Sequence, residues 1–148
     1  MIAAAGIIDV MDSLEVTKKQ FQKVIEMNTV GAFLTAQAAA REMVRLQTKG
    51  GSILLIASLA AKIASRGMPN TAYCFSKAAV AQMGRSLASE WGRSHGITVN
   101  KLCPGAIMTD MVKDLLKVYP EKYEEWSDVN MMGRMSEPEE FKYDTDRD

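Results

Sequence analysis

Apolar and polar positions along the chain follow two rhythms. From Thr17, the residues Phe21, Val24, Ile25, Asn28, Phe33 and Leu34 recur at near-helical spacing, and Thr17 with Gln20 three residues later forms a capping box. This predicts a helix from Thr17 to about Thr48. Thr71 to Ser94 is rich in Ala, Ser, Leu and Met and free of proline, which predicts a second long helix stopping near Gly96. Strand-type runs lie around these helices: Ile2 to Ile8, Ile53 to Ala57 behind the turn at Gly50 and Gly51, and Ile97 to Cys103, closed by the breakers Pro104 and Gly105. The continuous apolar run from Ile53 to Ala57 reads as a strand buried on both faces. Short helical stretches follow at Met111 to Val118 and Pro120 to Ser127, and Ser136 with Glu139 forms a further capping box. Strand, helix, strand, helix, strand predicts an α/β fold on a parallel sheet. One domain is expected over residues 1–141, followed by the polar tail 142–148.

Composition narrows the class of partner. The 148 residues are 47% hydrophobic and carry 18 basic against 18 acidic side chains, with no basic stripe, so the electrostatic footprint of a nucleic-acid binder is missing and a small-molecule partner is favoured. The opening "MIAAAGIIDVMD" is apolar but has no basic n-region and turns acidic after Ile8, which fits neither a signal peptide nor a membrane span. Cys74 and Cys103 form no CxxC spacing and sit in apolar surroundings, as thiols of a reducing compartment do. A cytoplasmic location is expected.

The chemistry concentrates in "NTAYCFSKAAV", residues 70–80. Tyr73 and Lys77 are four apart on a helix and project from one face. A cation at ~4 Å in an effective dielectric of ~20 is worth roughly 4 kcal/mol, enough to bring a phenol from its usual pKa of ~10 close to neutrality. A phenol so tuned can give a proton to a carbonyl oxygen or take one from an alcohol. YxxxK spacing alone is common on helices, and a packed tyrosine beside a solvated lysine is the plain alternative. Ser58 changes the weighting, because it falls at the carboxyl end of a parallel strand, the edge where open α/β sheets bind ligands, and its hydroxyl can hold a substrate oxygen. Asn28 interrupts an apolar helix face and needs a buried partner, whether structural or functional. "PGAIMT", residues 104–109, follows the third strand and either turns the Thr109 hydroxyl toward a ligand or is a simple turn.

Taken as a set, these residues resemble the short-chain dehydrogenase/reductase family, across nearly the whole chain. "AAAG", Ala3 to Gly6, matches the family's NNAG motif; Asn28, Ser58, and Tyr73 with Lys77 match its catalytic positions; Pro104 and Gly105 match its post-strand PG. The resemblance implies a Rossmann-like doubly wound parallel sheet of which this chain is the carboxyl-side half, the first strands and last strand missing. It implies an oxidoreductase moving hydride between NAD or NADP and a carbonyl or alcohol. Tyr73 would be the proton donor or acceptor, Lys77 would lower its pKa and bind the nicotinamide ribose, Ser58 would hold the reacting oxygen, and Asn28 would anchor a relay water. Ala4, Gly6, Pro104, Gly105, Ile107 and Thr109 would line the cofactor, with Ile107 and Thr109 at the carboxamide. No metal is implied. Within the family the chain looks most like fungal sugar and polyol reductases.

The departures matter equally. The family's TGxxxGxG turn, which holds the pyrophosphate at a helix amino terminus, has no counterpart in the sequence, so cofactor binding by this chain alone is doubtful and NAD cannot be told from NADP. Ala4 replaces the second asparagine of NNAG, and Ser136 stands where the family usually has glycine. The chain is therefore expected to be a reductase truncated at both ends, and a catalytically silent interaction fragment or a nonfunctional remnant stay open as alternatives. The two long helices carry small faces, Ala32, Ala36, Ala39, Ala40 and Met43 on one and Ala78, Ala79, Ala81, Gly84, Leu87, Ala88 and Trp91 on the other. They look like the pair through which the family associates, so a homo-oligomer is expected.

Overall fold

The computed structural model describes residues 1–47 and 50–141. The predicted end of the first helix at Thr48 and the tail 142–148 lie outside the described residues. The chain divides into two compact units, Met1–Cys103 and Pro104–Asp148, and each is described by itself.

The first unit is built on a three-stranded parallel sheet in the order β1, β2, β3, with β1 at Ile2–Ala3, β2 at Gly51–Ile56 and β3 at Ile97–Leu102. Ile2 and Ala3 lie beside Leu54 and Leu55, and β2 pairs with β3 from Gly51 opposite Ile97 to Ile56 opposite Leu102. Two helical segments cover one face. Their apolar sides, with Ala36, Ala40, Val80, Ala81 and Leu87, meet Ile53, Leu55, Ala57, Ile97 and Val99 in a single core cluster. Small residues at these helix positions let the backbones approach the sheet closely. The other face, with Leu54 and Ile56, is only half-buried. The apolar run of β2 thus alternates in burial where sequence predicts coverage on both sides. The reason is that the helices at Gly31–Arg45 and Thr71–His95 both contribute to the same core cluster on one face of the sheet.

The first predicted helix is divided. Helix α1 runs Lys18–Ile25 from the expected capping box, in which the Gln20 N–H donates to Thr17 Oγ1 at 3.3 Å and the Thr17 N–H to Gln20 Oε1 at 3.0 Å. A π-turn follows at Glu26–Val30, closed by the Gly31 N–H on the Glu26 carbonyl, and α2 continues over Gly31–Arg45. Such a turn inserts one residue into the helical ladder and redirects a side chain, a feature concentrated at functional sites. Helix α3 runs Thr71–His95 and ends as predicted on Gly96, which adopts a left-handed conformation with φ of 66°.

β1 is much shorter than the predicted Ile2 to Ile8. In the register of β1 the last residue of β2, Ile56, falls opposite Ala4, so the ladder has almost no partner strand left beyond Ala3, and the backbone there is met by side chains instead. The Ile56 carbonyl accepts the Lys77 ammonium at 2.9 Å, and both backbone groups of Ile7 are bonded to the Asn28 amide.

The second unit opens with the loop 104–109 and continues into α4 at Asp110–Val118 and α5 at Lys122–Asp128. The predicted helix start at Ser136 is not used in that way. Ser136 instead forms a parallel bridge with Ile107: its N–H donates to the Ala106 carbonyl at 3.2 Å and its carbonyl accepts the Met108 N–H at 2.8 Å. The helical turn after it is a 3-10 segment, Pro138–Phe141, and the carboxylate that reaches back to cap the Glu137 N–H, at 2.8 Å, belongs to Glu140. Glu140 also holds Arg134 through a two-point ion pair at 2.6 and 3.0 Å.

These bonds give the second unit an acid-sensitive clamp. Arg134, and then the Glu137 N–H, lower the Glu140 carboxyl from 4.5 to about 2. A carboxyl whose folded pKa is depressed contributes stability that is complete above its unfolded value and disappears as pH falls through the folded one. The bridge between Ile107 and Ser136 is therefore expected to be insensitive to pH above about 5 and to loosen as pH falls from 4.5 toward 2. Amide exchange at Met108 measured against pH tests this. Arg134→Met should weaken protection at neutral pH and flatten its acid dependence; an unchanged acid limb in that variant would contradict the clamp.

Candidate functional site

The site lies where β2 ends. Ser58 follows the strand in extended conformation and caps a short 3-10 turn, Leu59–Ala61, its Oγ accepting the Ala60 N–H at 3.2 Å. The first turns of α3 bring Tyr73 and Lys77 to the same end of the sheet. The Ser58 hydroxyl hydrogen-bonds the Tyr73 phenol, and Lys77 Nζ lies 5.8 Å from the centre of the Tyr73 ring. Lys77 is 4% exposed. A solvated surface lysine is thereby excluded, because an ammonium taken from water has to be held by fixed partners, here the Ile56 carbonyl.

Asn28 is buried in the π-turn, and its amide is fully engaged. Oδ1 accepts the Ile7 N–H at 2.8 Å, while Nδ2 donates to the Ile7 carbonyl at 2.9 Å and to Ser76 Oγ at 2.9 Å. The acceptor and both amide protons are engaged, so the side chain acts as a brace between three segments. Gly6 sits against this brace. A Cβ built there would come within 3.2 Å of Asn28 Oδ1 and 3.4 Å of Lys77 Nζ, so glycine at this position leaves room for both groups. Ala4 is exposed two residues earlier.

The electrostatics differ from the sequence-based expectation. The Tyr73 phenol is not lowered toward neutrality. Burial pushes its pKa up from 10.0, the Ser58 hydrogen bond pulls it back in part, and a charged Cys74 thiolate would raise it again. Burial also pushes the Lys77 ammonium down from 10.5. The physical reason is that the cation is beside the ring and committed to the Ile56 carbonyl, so loss of water outweighs attraction between the pair. At neutral pH the arrangement holds a protonated phenol, fit to donate a proton.

Of the remaining sequence-predicted positions, Pro104, Gly105, Ile107 and Thr109 belong to the second unit, on the loop between β3 and α4. Ile107 is fixed by its bridge to Ser136. The Thr109 hydroxyl caps α4, accepting the Val112 N–H at 3.4 Å. A Cβ at Gly105 would meet no described atom within 4 Å, so packing does not require glycine there. The residue that sequence reasoning missed is Ser76, buried between Asn28 and the Tyr73 carbonyl. The available signal was a hydroxyl three residues after Tyr73 and directly before Lys77, on the first turns of the helix.

No helix among the described residues is long and apolar enough to cross a membrane, and these residues contain no cluster of ligating side chains suited to a metal ion.

Comparison with known proteins converges on one group. The family model described as enoyl-(acyl carrier protein) reductase matches residues 1–143. A D-arabinitol 2-dehydrogenase (ribulose-forming) from Candida tropicalis is 35% identical over 141 residues, covering 95% of this chain and 49% of the relative. A solved short-chain dehydrogenase/reductase from Mycobacterium marinum superposes with a TM-score of 0.85 at 37% identity, covering 94% of this chain and 52% of that one. A solved Agrobacterium tumefaciens structure with bound NADP gives 0.80 at 29% identity, over 92% of this chain and 53% of its own. The chain spans about half the length of the curated relatives it matches. The YxxxK pair, the strand-end serine, the helix asparagine and the parallel sheet that gathers them agree with these matches: the chain belongs to the short-chain dehydrogenase/reductase family.

Proposed function

We propose that this chain carries the proton-transfer half of an NAD(P)-dependent oxidoreductase acting on a carbonyl or alcohol, with a sugar or polyol as substrate. The observation that carries this reading is the buried Lys77 ammonium, fixed on the Ile56 carbonyl beside Tyr73 and Ser58 at the carboxyl end of β2. Polyol dehydrogenation by the Candida relative supports the substrate class, and NADP in the Agrobacterium structure supports a nicotinamide cofactor. Two free, half-buried thiols, Cys74 and Cys103, suit a cytoplasmic setting.

The residues present suit one end of such a cofactor. One of the three Lys77 protons goes to the Ile56 carbonyl, which leaves two for the hydroxyls of a ribose. The family resemblance assigns Ala4 and Gly6 of the first unit, and separately Pro104, Gly105, Ile107 and Thr109 of the second, to the cofactor. The bound nicotinamide would supply or accept the hydride. In the reductive direction Ser58 holds the substrate oxygen and Tyr73 donates its phenolic proton to it as the alkoxide forms. In the oxidative direction the phenolate takes the alcohol proton. Asn28 holds the segment of Gly6 and Ile7 against Lys77 and so keeps the ammonium seated.

Because burial raises the Tyr73 pKa, reduction is expected to persist to alkaline pH and to fall only above 10, while alcohol oxidation rises across the same range. A chimera that adds the flanking segments of a polyol dehydrogenase tests this through the pH profile of kcat. In the same chimera Tyr73→Phe is expected to lose roughly 10²–10⁴-fold in turnover; retention of most activity would refute the assignment.

Gly6→Ala provides a test on the chain itself. Its methyl group would lie 3.2 Å from Asn28 Oδ1, so the tightly bonded amide has to give by a few tenths of an ångström, and a loss of about 1–3 kcal/mol in unfolding stability is expected, read from denaturant midpoints. A fully stable variant would show that Gly6 does not sit in contact with the brace.

Self-association through α2 and α3 is part of the same reading. Ala36 and Ala81 are spent on the sheet, but an open groove of about 490 Å³ remains between the helices, lined by Phe33, Ala40, Val44, Leu87 and Trp91 among others. A dimer or larger species is expected by light scattering at micromolar concentration, and a folded, monodisperse monomer would exclude it.

A further inference from the structure

We propose that Ser76 is a positioning residue, which sets where the first turns of α3 present Tyr73 and Lys77 by bonding Asn28 on one side and the Tyr73 backbone on the other. The proposal rests on the reading of Tyr73 and Lys77 as the acid/base pair, but its geometry stands by itself. Ser76 is 0% exposed. Its hydroxyl donates to the Tyr73 carbonyl at 2.7 Å and accepts from Asn28 Nδ2 at 2.9 Å. Its own carbonyl accepts the Thr29 hydroxyl at 3.3 Å. Two successive residues of the π-turn, Asn28 and Thr29, therefore both terminate on Ser76.

Three things follow from this placement. A serine inside a helix is a weaker helix former than alanine, and its hydroxyl competes for backbone carbonyls; here that competition is directed at Tyr73. The serine proton and lone pair are both used, so the hydroxyl is a link and not a filler. Among the described residues the link is also the one side-chain bond by which the Asn28 amide reaches α3, its other bonds being to Ile7. Removing it would free the turn that carries Tyr73 from the segment that packs against Lys77. Both side chains would then rehydrate. A residue that merely contributes packing would cost stability without altering either side chain's surroundings.

The test reads those surroundings directly on the purified chain. Tyrosine labelled with ¹³C at Cζ, with Tyr73→Phe to assign the resonance, gives the phenol titration, and ¹⁵N-lysine gives that of Lys77. In Ser76→Ala the Tyr73 titration is expected to move down toward 10.0 and that of Lys77 up toward 10.5, each by about half a pH unit or more. Val80→Ala, a cavity at a 1% exposed position on the same helix, is expected to lower the melting temperature and leave both titrations in place. Ser76→Cys, which keeps a weak donor and acceptor, is expected to fall between wild type and Ser76→Ala. Wild-type titrations in a folded Ser76→Ala would overturn the proposal, as would equal shifts in Val80→Ala. Should Ser76→Ala not fold, wild-type titrations in Ser76→Cys would overturn it. None of these readings involves turnover, so a failure of the hydride-transfer assignment is seen separately in the chimera.

Discussion

The side-chain amide of Asn28 is the interaction on which the rest of the site depends. A buried amide has two protons and an acceptor to satisfy, and an unpaired one costs about 1–3 kcal/mol for each group left without a partner. Here the acceptor and one proton close on the backbone of Ile7, and the other proton closes on Ser76. The segment leaving β1, the π-turn and the first turns of α3 are thereby fixed to one another. The π-turn itself fits this demand: an extra residue in the helical ladder places Asn28 inward.

The same constraint explains which parts of the structure could be read from sequence. Strand and helix identities follow from apolar periodicity, and the two capping signals that work, Thr17 with Gln20 and Gly96, act within a few residues of backbone. What periodicity cannot show is the diversion of backbone groups to distant side chains. β1 ends early because its partner strand stops at Ile56, opposite Ala4, and past that point the Ile56 carbonyl and the Ile7 backbone are met by side chains from residues about twenty positions away. Ser136 is drawn into a bridge with Ile107 by the same kind of non-local pairing. Tyr73 and Lys77 were legible as a pair because their proposed chemistry is tied to a spacing. Ser76 was not, because its role comes from the partner it meets across helices.

The Tyr73 and Lys77 pair shows how a local rule can give the right partners and the wrong sign. Four-residue spacing does place the two side chains on one face, and the ammonium does lie beside the ring. The effect on the phenol is a balance between that attraction and the loss of water around both groups. Sequence supplies the first quantity and says little of the second, which depends on how the sheet end and α3 close over the pair. The balance falls toward burial, so the site keeps a protonated phenol and a desolvated ammonium.

Among the described residues the Lys77 ammonium hydrogen-bonds the Ile56 carbonyl alone, and a buried cation gains from further oxygen atoms brought to the end of β2. The Asn28 and Ser76 brace lies wholly within the first unit. In the proposed reading, orientation of Tyr73 and Lys77 is thus physically separable from capture of a cofactor's phosphates. The first is carried by residues described in this chain, and the integrity of its geometry can be judged from the titration of Tyr73 and Lys77 whether or not the second is satisfied.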